Sequence, residues 1–95
     1  MKRILIVEDD MTMNKMLSNI LLAEGYKVTS AYTVKEAQHY FQTGTFDLAI
    51  LDINLPDGSG YEVCKVIKEK SSTAVIFLTA NDLEQDITFM MTEGL

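Results

Sequence analysis

Leu48-Ala49-Ile50-Leu51-Asp52-Ile53-Asn54-Leu55-Pro56-Asp57-Gly58-Ser59-Gly60 is the stretch on which the reading of this chain turns. Four apolar residues in succession, Leu48 to Leu51, suit a strand buried on both faces, the habit of parallel sheets. They run directly into a carboxylate, Asp52. After Pro56, Asp57-Gly58 is turn chemistry, and Ser59-Gly60-Tyr61-Glu62 has the spacing of a capping box that opens a helix. That helix would pack with Val63, Cys64 and Ile67. Strand, turn and helix in this order make one βα unit.

Working outward, the same unit recurs. Arg3 to Val7 reads as a strand, followed by a helix with Met13, Met16, Leu17, Ile20 and Leu21 on its apolar face and a stop near Glu24-Gly25. Lys27 to Ala31 is a second strand, and Thr33-Val34-Lys35-Glu36 is the capping box of a helix that would bury Ala37, Tyr40 and Phe41. Ala74 to Leu78 is the fourth strand. The spacing then predicts a last helix, opened by Asn81 or Asp82, with Leu83, Ile87, Met90 and Met91 on one face and Gly94 as its cap. Strand two alternates polar and apolar residues and belongs at an edge. With right-handed crossovers the expectation is an α/β doubly wound parallel sheet in the order 2-1-3-4.

Composition narrows the class. The chain has 95 residues, 47% apolar and 23% charged, with five glycines and one proline, which fits a single globular domain over residues 1–95. Its apolar runs are far shorter than the roughly 18 residues of a membrane span. Met1-Lys2-Arg3 is followed by too few apolar residues for a signal peptide. The one cysteine, Cys64, makes no intrachain disulfide framework and fits a reducing, cytoplasmic setting. Fourteen acids against eight bases give a net charge of −6, which argues against direct nucleic-acid contact by this chain.

Ligands of open parallel sheets bind beyond the carboxyl ends of the strands, where the strand order reverses. Here strand one runs out into Glu8-Asp9-Asp10, strand three into Asp52-Ile53-Asn54 and strand four into Thr79-Ala80-Asn81. Glu8, Asp9 and Asp52 should therefore converge on one pocket with a hydroxyl beside them. Clustered like charges either raise a carboxylate pKa or hold a cation. Oxygen donors without histidine or cysteine favour Mg²⁺ over zinc. Asp52 beside such an ion is a carboxylate nucleophile suited to forming an aspartyl phosphate. Taken alone, Glu8-Asp9-Asp10 reads first as a solvated helix start that complements the helix dipole; Asp52 at the end of a buried strand reverses the balance toward a site.

The segments Ile4-Leu5-Ile6-Val7-Glu8-Asp9-Asp10, Leu48 through Gly60, and Phe77-Leu78-Thr79-Ala80, at their spacing, resemble the receiver domain of bacterial two-component response regulators, from Lys2 to Leu95. The resemblance implies a flavodoxin-like receiver fold in which Asp52 accepts a phosphoryl group from a sensor histidine kinase. It implies Mg²⁺ held by Asp9 directly, by Glu8 typically through water, by Asp52 and by the main-chain carbonyl of Asn54. Thr79 would couple the chemistry to movement of the following loop, with Ala80, Asn81 and Asp57 at the rim of the site. The family pattern also has a lysine followed by proline at the end of a fifth strand. The chain stops before that position, so the expectation is a receiver lacking the fifth strand and fifth helix, with weakened Mg²⁺ binding and impaired phosphorylation. Receivers with such motifs are commonly followed by a DNA-binding domain that regulates transcription.

Two other classes fit parts of the sequence. A haloacid-dehalogenase-type phosphohydrolase also places an aspartate after a buried strand, but wants a second aspartate where this chain has Asn54. A structural module would self-associate through an exposed fourth strand and an uncovered face of helix one. His39, on helix two, is read as solvent-facing, Cys64 as an inert core thiol, and the methionines at 13, 16, 90 and 91 as packing residues.

Overall fold

A computed structural model of the chain describes residues 2–81 and 86–92, with side chains through Leu78. The elements are β1 (Arg3–Val7), α1 (Met11–Ala23), β2 (Lys27–Ala31), α2 (Val34–Thr43), β3 (Leu48–Asp52), a small hairpin of β4 (Asn54–Leu55) and β5 (Gly58–Ser59), α3 (Gly60–Lys70), β6 (Ala74–Asn81) and β7 (Asp86–Thr92). The main sheet has the order β2-β1-β3-β6-β7. Its first four strands are parallel, so the expected 2-1-3-4 arrangement is present, with β6 as the fourth strand.

Two apolar layers sandwich this sheet, as the continuous strands require. Leu5, Val7, Ala49, Leu51, Val75 and Phe77 face α2 and α3, which contribute Val34, Ala37, Val63, Cys64 and Ile67. Ile4, Ile6, Ile50 and Leu78 face the other way and meet Met13, Leu17 and Leu21 of α1. Of the methionines and isoleucines expected on the inner face of α1, Met16 and Ile20 instead stand 45% and 56% exposed. β2 lies at the sheet edge with its polar alternation, as expected.

Capping chemistry starts the helices. Asp10 accepts the Met13 N–H at 3.0 Å to begin α1, and α1 gives way at Gly25, whose φ of +93° suits a residue without Cβ. Ser59 accepts the Tyr61 N–H while Glu62 accepts the Ser59 N–H, completing the box expected at α3. At α2 the reciprocal half differs from expectation. Thr33 caps the Glu36 N–H, but the Glu36 carboxylate reaches the N–H of Tyr32, one residue further back, at 2.8 Å.

The expected fourth helix is not what forms over 86–92. β6 continues to Asn81 rather than ending at Leu78, and β7 returns antiparallel to it, pairing Asn81 with Asp86 and Val75 with Thr92. Asn81 is therefore a strand residue, not a helix cap. The physical reason is visible in the sequence: Ile87, Phe89 and Met91 alternate with Thr88, Met90 and Thr92, so the segment fits period two as well as a helical stripe. Its β-branched and aromatic residues favour a strand, and pairing satisfies the backbone edge of β6. The expected starting residue Asp82, with Leu83 and Gly94, lies outside the described residues. Because β7 covers β6, the fourth strand is not the exposed edge on which self-association through it was expected to rest.

Candidate functional site

The acidic pocket forms where sheet register puts it. Val7 pairs with Leu51 and Asp52 pairs with Leu78. Glu8 and Asp9 follow β1 immediately, Asp52 closes β3, and Thr79 is the next backbone position along β6. Glu8, Asp9 and Asp52 each offer a carboxylate oxygen within 4.8 Å of the others. This brings together the three acids expected from the strand ends, and it does so at the β1/β3 position where strand order reverses.

The three carboxylates are not equivalent. Glu8 is buried, 6% exposed, and burial, reinforced by the charge of Asp52, pushes its pKa up to about 7 despite the Asp10 N–H that its Oε2 accepts at 3.0 Å. Burial also raises Asp52 above the ordinary carboxylate range, with the charge of Asp9 adding to it. The proton on Glu8 and the N–H groups of Ile53 and Asn54 act in the opposite direction. The pocket without a cation thus favours a proton shared toward Glu8.

The backbone around the acids is held tightly. Asn14, fully buried on the first turn of α1, donates from Nδ2 to the Glu8 carbonyl at 3.0 Å and to the Ala31 carbonyl at 3.2 Å. The Glu8 N–H donates to the same Ala31 carbonyl at 3.0 Å. Ser18 Oγ donates to Asn14 Oδ1 and lies 3.0 Å from Ser30 Oγ. Asn14 therefore fixes the loop that presents Glu8 and Asp9. Sequence reasoning missed it, although an asparagine sharing a helix face with inward Leu17 and Leu21 was a signal that a buried donor was needed. On the other side, the Gly60 N–H donates to the Ile53 carbonyl at 2.9 Å. A Cβ at Gly60 would be driven into the carbonyl oxygen of Asp52, so this position requires glycine.

Asp57, the rim residue expected on the loop after Asp52, has its carboxylate engaged elsewhere. Its two oxygens accept the N–H groups of Val34 at 2.8 Å and Lys35 at 3.1 Å, which caps α2 and holds the Asp57 carboxyl below its usual range. β4 and β5 fold back on each other with Asn54 opposite Ser59, which puts Asp57 in the turn between them. Asn54 is exposed, and its N–H is directed at the Asp52 carboxylate. The side chains of Thr79, Ala80 and Asn81 lie outside the described part of the structure. His39 is exposed and tilts against Tyr40, and Cys64 is a buried free thiol, both as expected.

A doubly wound sheet with an aspartate closing its third strand and two acids after its first defines a response-regulator-like class of domain. A profile of the response regulator receiver domain matches residues 4–95, and the chain belongs to that family, whose domains act in signalling. VanR of Enterococcus faecium, a regulatory protein, is 39% identical over 92 residues, which is 97% of this chain and 40% of that protein. YrkP of Bacillus subtilis, an uncharacterized transcriptional regulatory protein, is 40% identical over 93 residues, 98% of this chain and 38% of that one. The chain thus spans about two fifths of the length of these relatives. Among solved structures, the response regulator TrrA of Thermotoga maritima in complex with Mg²⁺ and BeF aligns with a TM-score of 0.79 at 40% identity, covering 90% of this chain and 75% of that one. TrrA in complex with the histidine kinase ThkA aligns with a TM-score of 0.78 at 42% identity, covering 84% and 70%. Among the described residues no helix is long and apolar enough to cross a membrane.

Proposed function

We propose that this chain is the phospho-accepting receiver of a two-component response regulator, with Asp52 as the acceptor and a sensor histidine kinase as the donor. The observation that carries this is the convergence of Glu8, Asp9 and Asp52 within 4.8 Å at the end of the central strands. In the transfer, a carboxylate oxygen of Asp52 attacks phosphorus, the bond from phosphorus to the donor's imidazole nitrogen breaks, and its electron pair stays on the imidazole. The product is an acyl phosphate on Asp52.

The donor set fits Mg²⁺: oxygen ligands only, excess negative charge, and an acid, Glu8, whose pKa is raised by burial and further by the charge of Asp52. Asp9, Asp52 and the Asn54 carbonyl would hold the ion, with Glu8 acting through water. When bound it would neutralise charge on the carboxylates and the incoming phosphoryl oxygens. The chain's own contribution is positional. Asn14 fixes the Glu8 backbone, Gly60 allows α3 to start against the Asp52 carbonyl, and the Ile53 and Asn54 N–H groups orient the acceptor carboxylate. Thr79 at the next backbone step on β6 is the proposed switch, with Ala80 and Asn81 at the rim. Asn54 in place of a second aspartate does not favour a haloacid-dehalogenase-type hydrolase. The cytoplasmic setting of kinase-coupled signalling accords with the single buried thiol.

The test is intact-mass analysis after incubation with a small acyl phosphodonor, with Mg²⁺ or with chelator. The wild-type chain gains one phosphoryl mass only with Mg²⁺, and Asp52→Asn gains none. Equal gain in both chains refutes the assignment. Exposed Met16 and Ile20, one turn apart on α1, support a second reading, self-association through that face. A concentration-independent monomer by light scattering would exclude it.

A further inference from the structure

The Asp57 contact joins two parts of the molecule that the strand-end logic leaves unrelated. Asp57 sits at the tip of the β4–β5 hairpin, and its carboxylate reaches 23 and 22 residues back in the chain to the first two N–H groups of α2. The same hairpin begins at Asn54, whose N–H faces the Asp52 carboxylate and whose carbonyl is the backbone ligand proposed above. A hairpin of two paired residues per strand is marginal by itself, so its position is set by what its ends are tied to. One end is tied by the Gly60 N–H on the Ile53 carbonyl. The tip is tied by Asp57. Next to it, a Cβ at Gly58 would lie 2.8 Å from Glu62 Oε1 and 3.1 Å from Val34 Cγ2. The tip is therefore seated closely on both α2 and α3.

We infer that Asp57 is a positioning residue for the metal site: its clamp on the N terminus of α2 holds the hairpin so that the Asn54 backbone stays aligned with Asp52, and Mg²⁺ affinity depends on it. This rests on the proposed function, in that Asn54 is taken as a ligand-bearing position. The coupling is reciprocal by thermodynamic necessity, so a clamp that strengthens metal binding must itself be strengthened by the metal.

The experiment is a Mg²⁺ titration of the 95-residue chain, followed by backbone amide resonances and calorimetry, for wild type, Asp57→Ala, Thr33→Ala and Asp9→Asn. Thr33→Ala removes the other cap of α2, the bond to the Glu36 N–H, without touching the hairpin. Asp57→Ala should weaken Mg²⁺ binding by about fivefold or more, while Thr33→Ala, with a similar loss in Tm, leaves it within twofold of wild type. If the two variants weaken binding equally, or neither does, Asp57 is only a helix cap and the inference is overturned. In wild type alone, Mg²⁺ should slow hydrogen exchange at the Val34 and Lys35 amides; unchanged exchange there overturns it even if Asp57→Ala fails to fold. Failure of the underlying reading has a different signature: wild type does not bind Mg²⁺, or Asp9→Asn binds it as well as wild type.

Discussion

Replacing Glu8 by glutamine isolates the electrostatic cost stored in the pocket. Glu8 has an ordinary pKa of 4.5 and a folded value of about 7. A carboxyl whose pKa is raised on folding contributes stability that is fully present below pH 4.5 and lost as pH rises through about 7, because the native state alone must give up a proton it holds tightly. At about 1.4 kcal/mol per pKa unit, the shift corresponds to roughly 3 kcal/mol for an isolated group. Asp9 beside it is exposed, and water on that side screens part of the effect, leaving about 2 kcal/mol. Glutamine keeps an oxygen for the Asp10 N–H that Glu8 Oε2 now accepts and removes the titration. In chelator, urea unfolding between pH 5 and 8 should show wild type losing about 2 kcal/mol that Glu8→Gln retains, a Tm difference of about 10 °C at the upper end. Adding Mg²⁺ at pH 7.5 should restore wild type more than the variant. Parallel stability profiles for the two chains would refute the account of Glu8 as a buried, charge-crowded acid.

Asn14→Ala leaves the Glu8 carbonyl without its donor in a fully buried position; a loss of about 2–3 kcal/mol in urea unfolding is expected, with weaker Mg²⁺ binding. Gly60→Ala forces α3 away from the Asp52 carbonyl, and should cost about 2 kcal/mol and slow phosphorylation of Asp52 by small donors, read by mass spectrometry. Ile67→Ala, fully buried in the layer under α3, should cost about 3 kcal/mol while leaving Mg²⁺ affinity within twofold of wild type, since it lies about two turns along α3 from Gly60.

The first four strands were legible because three are apolar runs, of which Ile4 to Val7 and Ala49 to Leu51 are buried on both faces, while Lys27 to Ala31 alternates as an edge strand does. The pocket was legible for the same reason, since carboxylates that directly follow such strands must meet where the order reverses. Residues 86–92 were not. Ile87, Met90 and Met91 satisfy a helical stripe and Ile87, Phe89 and Met91 satisfy a strand, and only the long-range need to pair β6 separates the two. Asp57 was read as part of a turn and as a rim position, and neither reading shows that its carboxylate bonds the N–H groups of Val34 and Lys35. A local reading of Pro56-Asp57-Gly58 yields a turn and contains nothing about the helix it caps. Asn14 was passed over because apolar periodicity weighs what a helix face buries and not which backbone carbonyls beneath it lack donors.

The central claim is that Asp52 is the group modified. Borohydride reduction of the chain after treatment with Mg²⁺ and a small phosphodonor converts an acyl phosphate to homoserine, which peptide sequencing by mass spectrometry locates. The account predicts homoserine at position 52 alone, abolished by chelator. Homoserine at position 9 or 57, 5-hydroxynorvaline at position 8, or no reduced residue at all in a chain that binds Mg²⁺, would contradict it.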